Sequence, residues 1–111
     1  MDGPRAALPA VVLAALEDGP AHGYRIARWV EERSTGDLAL KEGSLYPVLR
    51  ALEAQGLVVA VWEAQGERRR RVYQLTDDGR RALTSEREAW QRYRAAVERV
   101  LFDGGPAHAT V

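Results

Sequence analysis

"LVVAVWEAQGERRRRVYQL", residues 57–75, is the stretch on which the fold turns. It is rich in valine and aromatic residues, and Gln65 and Gly66 punctuate it into two extended runs, the pattern of a β-hairpin. Immediately upstream, "EGSLYPVLRALEAQG" carries Leu45, Val48, Leu49 and Leu52 at i, i+3, i+4 and i+7, with Gly56 as a left-handed cap, which predicts a helix over 44–55. Pro47 fits its first turn if Ser44 is the N-cap, because a backbone N–H there has no partner within the helix. Further upstream, Tyr24, Ile26, Ala27 and Val30 predict an amphipathic helix over 22–34, stopped at Ser34, Thr35 and Gly36. Val12, Leu13 and Leu16 predict a first helix over 8–18, opened at Pro9 and closed by Asp18, Gly19 and Pro20.

Downstream of the hairpin, Thr76 reads as an N-cap, with Asp77 and Asp78 against the positive end of a helix dipole. A long helix then spans 77–102, and 103–111, "DGGPAHATV", reads as a flexible tail. Three helices, a hairpin over 57–75 and a long helix make a mainly α fold: a winged helix-turn-helix over 1–76 followed by a C-terminal dimerisation helix.

The composition narrows the function classes. Sixteen basic and sixteen acidic residues cancel, so attraction to a polyanion must come from where charges sit, and Arg68, Arg69, Arg70 and Arg71 are the strongest local asymmetry. Cysteine is absent, which removes disulfides, thiolate catalysis and the common structural zinc sites. The opening "MDGPRAALPAVVLAALEDG" lacks a basic leader, and no apolar run approaches the roughly twenty residues needed to span a bilayer. A cytoplasmic protein without membrane contact is the expectation. No metal-ligand cluster, phosphate loop or triad is legible, so neither an enzyme nor a cofactor is expected.

Turning the third helix by 100° per residue sets Gly43, Tyr46, Pro47, Arg50 and Ala54 opposite its leucines. Small residues permit close approach to a major groove, Ser44 and Tyr46 can hydrogen-bond phosphate or base edges, and Arg50 can read guanine or hold a phosphate. An ordinary surface helix sparse in charge has the same face. In the hairpin, alternation puts Arg69 and Arg71 on one side and Arg68 and Arg70 on the other. Alone, such a run is more often solvated surface or edge-strand protection; directly after a recognition-like helix it reads as a contact to DNA.

"HGYRIARWVEE", "EGSLYPVLRALEAQGLV" and "RRRVYQLTDDGRRAL", in that order, resemble the signatures of the PadR family of bacterial transcriptional regulators. The resemblance spans residues 8 to 102, and the single C-terminal helix is similar to the short subfamily. It implies a homodimeric repressor that binds double-stranded DNA at an inverted repeat and is often released by a small effector. Ser44, Tyr46 and Pro47 match the family's recognition helix, and Arg50 and the wing arginines fall where basic contacts are expected. A winged-helix protein-interaction module or ligand sensor without DNA binding is the alternative.

Along the last helix Leu83, Glu86, Trp90, Tyr93, Val97 and Val100 alternate three- and four-residue steps, a seam between two helices with Glu86 as its one blemish. Such a helix measures on the order of 39 Å, more than a small core needs. Trp90 either packs in that seam, which ranks first, or lines a cavity where a small aromatic effector stacks, which Trp29 and Trp62 would then join. His22 reads as part of the turn into the second helix, and His108 belongs to the tail.

Overall fold

A computed structural model describes residues 4–104, so most of the expected tail lies outside the described residues. Helix α1 is Pro4–Ala15, α2 is Gly23–Arg33 and α3 is Glu42–Ala54. The hairpin strands are β2, Val58–Gln65, and β3, Arg68–Leu75, and α4 is Asp77–Glu98, continued by a π-helical turn over Arg99–Asp103. A short strand β1, Ala21–His22, lies beside β3 in a three-stranded antiparallel sheet of order β1-β3-β2. The hairpin expected from the sequence is therefore the larger part of a sheet. Two residues are too few to show alternation, which is why β1 left no signature in the sequence.

One apolar cluster holds the elements together. Val12, Leu13 and Leu16 of α1 meet Ile26 of α2, Leu45, Leu49 and Leu52 of α3, Val58, Tyr73 and Leu75 of the sheet, and Leu83 of α4. The leucines that set the period of α3 are thus its buried face, and burying each contributes roughly 1.5–3 kcal/mol relative to exposure.

Three boundaries differ from the sequence expectation. Helix α1 starts at Pro4 and ends at Ala15, and contains Pro9 rather than opening on it. Proline's fixed φ suits a helix; its cost is one missing hydrogen bond, and Pro9 stands on the exposed side, where water can serve the freed carbonyl. Residues 16–19 then tighten into single turns through N–H donation from Leu16 to the Leu13 carbonyl and from Gly19 to that of Leu16. Ser44 is not the cap of α3: the N-cap is Lys41, which makes no side-chain capping bond, while Ser44 lies inside and its N–H donates to the Lys41 carbonyl at 2.9 Å. Pro47 therefore falls in the second turn, where it removes the bond to the Gly43 carbonyl. The third difference is the hairpin loop, which is Gly66-Glu67, since Gln65 pairs with Arg68. Gly66 takes φ +63°, and a positive φ at the first loop position matches the twist of the strands.

The caps of the other helices are built as short-range chemistry dictates. The Arg25 backbone N–H donates to His22 Nδ1 at 3.2 Å, so His22 caps α2, and Thr76 caps α4 by accepting from the Gly79 N–H at 3.0 Å. Thr76 also donates its hydroxyl to the Gly56 carbonyl at 2.7 Å and its N–H to that of Leu57 at 3.2 Å. One threonine thereby ties α4 to the α3–β2 turn. Farther along α4, Arg87 grips the carboxylate of Glu17, just past the end of α1, with both nitrogens at 2.7 and 2.8 Å. Beyond that clasp α4 leaves the core, and the chain extends 72 Å along its longest axis against 28 and 21 Å across.

Candidate nucleic-acid interface

The outer face of α3 carries Gly43, Ser44, Tyr46, Pro47 and Arg50, all exposed. Tyr46 is only 38 % exposed, because its phenol leans on the start of α2. A Cβ placed on Gly23 would sit 2.8 Å from Tyr46 Oη, so the tyrosine needs that glycine. Tyr46 consequently joins α2 to α3 as well as facing outward.

The hairpin stands beside this face. The guanidinium of Arg71 on β3 meets Glu53 of α3 at 2.9 Å and lies 5.9 Å from the centroid of the Tyr73 ring. Burial raises the Tyr73 phenol above its ordinary value, and the charges that act on it next are those of Arg71, Glu53, Tyr46 and Arg50. Helix face and wing thus converge around one buried ring.

The four arginines divide by register. Because Gly66-Glu67 is the loop, Glu63 stands opposite Arg70 and Trp62 opposite Arg71. Arg70 is partly buried, pairs with Glu63 at 3.6 Å, and has an Nε that finds no acceptor among the described residues. It faces His22 and Arg25 at the start of α2, and burial, then Arg70, then Arg25 lower the His22 pKa. Arg69 lies 5.3 Å over the Trp62 ring. Among the described residues Arg50, Arg68 and Arg69 form no ion pair. On α3 and the wing, the arginines outside any ion pair among the described residues are therefore Arg50 on the helix and Arg68 and Arg69 toward the wing tip, whereas Arg71 is engaged with Glu53.

Sequence reading alone missed the acids that neutralise Arg70 and Arg71. Counting outward from a Gly66-Glu67 loop would have found Glu63; Glu53 required the packing of α3 on the sheet. It also missed His22 as a cap, although a side-chain acceptor three residues before Arg25 was visible.

Of the residues expected on the α4 seam, Leu83 is buried in the core, Val97 is partly buried, and Trp90, Tyr93 and Val100 are exposed. The Trp90 and Tyr93 rings lie 5.7 Å apart, and Leu101 and Phe102 extend the apolar surface at 65 % and 77 % exposure. Within one protomer Trp29 and Trp62 lie apart from them: Trp62 is on the wing, and Trp29 lines a shallow hollow with Val11, Ala14, Val30 and Leu38.

Known proteins share this fold. The family model described as "Transcriptional regulator PadR-like family" matches residues 12–85. A transcriptional regulator of Mycobacterium tuberculosis, Rv3488, is 38 % identical over 104 residues, covering 94 % of this chain and 90 % of its own. A PadR family transcriptional regulator from Eggerthella lenta superposes with a TM-score of 0.80 at 30 % identity, covering 91 % of this chain and 87 % of its own. Bacillus subtilis PadR, solved in complex with operator DNA, superposes with a TM-score of 0.65 at 25 % identity over 95 % of this chain and 52 % of its own. The match over 12–85 contains the α2, α3 and wing motifs together with the joints that connect them, and the chain belongs to the PadR-like family of transcriptional regulators.

Proposed function

We propose that the protein is a homodimeric repressor that binds an inverted-repeat operator in cytoplasmic DNA, without catalysis or cofactor. Two copies of α3 enter successive major grooves about 34 Å apart, and the wings lie beside the duplex. The observation that carries this reading is the juxtaposition of the small outer face of α3 with Arg50, Arg68 and Arg69, which form no ion pair among the described residues, the Arg71–Glu53 pair joining helix and wing between them. Ser44, Tyr46 and Pro47 face the groove, and the arginines supply salt-sensitive affinity. The Bacillus subtilis relative, solved in complex with operator DNA, supports a DNA-binding role.

Dimerisation uses α4. Trp90, Tyr93 and Val100 lie exposed along the part of the helix that runs past the core, with the partly buried Val97 between them. The Trp90–Tyr93 pair also suits a planar ligand stacked between the two copies, and a small aromatic effector bound there would release the DNA by altering the spacing of the two α3 helices.

Selection from a random DNA library tests the reading: an inverted repeat is expected, its symmetry reporting the dimer and its bases reporting α3. Failure to enrich any sequence at low salt would favour a protein-interaction or sensor role. Sizing at micromolar protomer concentration is expected to give a dimer, and a monomer would undo the half-site geometry.

A further inference from the structure

On the side of the hairpin turned toward α3, arginines and aromatic rings alternate. Arg71 lies over Tyr73 and Arg69 over Trp62. Arg71 is further tied to Glu53, whereas Arg69 has the indole beneath it and no acid partner among the described residues. Trp62 is 59 % exposed in the outer half of β2, an edge strand, so burial in the core does not account for it.

We infer that Trp62 is a positioning residue that holds Arg69 for insertion into the minor groove beside each half-site, giving the wing a preference for A·T-rich flanks. This rests on the DNA-binding reading above. A guanidinium stacked on a ring is restrained while its N–H donors stay free at the edge, which is the geometry a deep, narrow groove admits. Each strand has eight residues, a reach of roughly 26 Å. That is about twice the width of a major groove, so a wing rooted beside a helix in that groove extends over the phosphate strand to the neighbouring minor groove. Ala64 stands opposite Arg69 and leaves room for groove walls to approach. Glu67 occupies the turn itself, which disfavours an end-on landing on phosphates and favours a pose in which the Trp62–Arg69 side meets the DNA. Narrow A·T-rich minor grooves have the most negative potential and draw arginine in.

The test is selection from a random library by the wild-type protein, Arg69→Ala, Trp62→Leu and Trp62→Phe, with melting temperature as the control for folding. Wild type and Trp62→Phe are expected to enrich A·T outside each half-site. Arg69→Ala and Trp62→Leu are expected to lose about two- to fivefold of that flank preference, the worth of an exposed cation–π contact, and to keep the half-site bases. A Trp62→Leu protein with wild-type flank preference would overturn the inference. So would an Arg69→Ala protein weakened equally on A·T and G·C flanks, which would make Arg69 a phosphate contact. If the wild-type protein enriches no sequence, the DNA-binding reading itself falls, an outcome distinct from enriched half-sites with indifferent flanks.

Discussion

Replacing Gly79 with alanine should destabilise the protein far more than an exposed helical Gly→Ala change. A Cβ on Gly79 would lie 2.0 Å from the Leu57 carbonyl oxygen and 3.0 Å from Leu75 Cδ2. An ordinary contact between a methyl and a carbonyl oxygen needs more than a further ångström, and the obstructing atom is backbone. It is also the acceptor of the Thr76 N–H, so α4 cannot back away without stretching the joint that Thr76 makes with Gly56 and Leu57. Overpacking of this kind costs about 1–3 kcal/mol, and loss of the joint adds about 1 kcal/mol. Alanine's helix propensity returns about 1 kcal/mol at most. The net loss is about 1–3 kcal/mol, or roughly 4–12 °C in Tm for a domain of this size. Gly43→Ala is the matched control: it lies in α3 with nothing within 4 Å of its Cβ, and should raise stability by about 0.5 kcal/mol. Thermal melts of both variants and wild type at one protomer concentration decide the matter. A Gly79→Ala protein melting within 2–3 °C, roughly, of wild type would refute the claim that α4 is seated by close backbone approach.

Three further outcomes follow from the same geometry. Thr35, just past the C-cap of α2, has φ +51°, in the left-handed region where a β-branched residue is strained, so Thr35→Gly should stabilise by about 0.5–1 kcal/mol in urea unfolding; a loss would show that the Thr35 hydroxyl contact to the Ser34 carbonyl outweighs the strain. In the log–log salt dependence of DNA binding, Arg68→Ala should reduce the slope by up to about 0.9 if that arginine neutralises one phosphate, whereas Arg70→Ala should change it less, because Arg70 is already paired with Glu63; equal changes would refute the division of the arginines by register. His22 has a folded pKa below its ordinary value, so the unfolded chain binds more protons and stability should fall as pH drops through about 6.5 and below. His22→Asn keeps a side-chain acceptor at the N-cap and should flatten that pH dependence between about 7.5 and 5.5; an unchanged profile would remove His22 from it.

Period and punctuation made much of the fold legible. Leu45, Leu49 and Leu52 announced α3 because a helix buries one stripe, and Thr76 announced α4 because a short side-chain oxygen before acidic residues satisfies free N–H groups. What stayed hidden has two physical sources. Short features such as β1 are created by their partner, since Ala21 and His22 become a strand only when Tyr73 and Val72 lie alongside. Helix starts such as Lys41 are set by where the chain arrives from the previous element, which no local pattern encodes. The candidate interface shows the same split: the sequence reveals the run of arginines, but which of them are neutralised depends on Glu63 through strand register and on Glu53 through packing.

The motifs that carried the resemblance have a reason to occur together that DNA contact alone does not supply. Gly23 of the first is the floor on which Tyr46 of the second rests, and Gly79 of the third lies against the carbonyl of Leu57, where the second motif ends. Tyr73 of the third meets the charges of Arg50 and Glu53 from the second. Each motif thus supplies one half of a joint whose other half lies in another motif, and these joints set the angle between helix α3, the wing and α4. In the proposed homodimer the two reading heads must match the pitch of a duplex, so an error at the root of α3 would be carried to both half-sites at once. Substitutions at Gly23 or Gly79 are therefore expected to impair operator discrimination even where the protein still folds, and at Gly23 the obstructing atom is the tip of a half-exposed side chain that can swing aside. Gly23→Ala should keep a melting temperature within about 4 °C of wild type while losing preference for cognate over random DNA; retention of full preference would mean that the Tyr46 position is irrelevant to recognition.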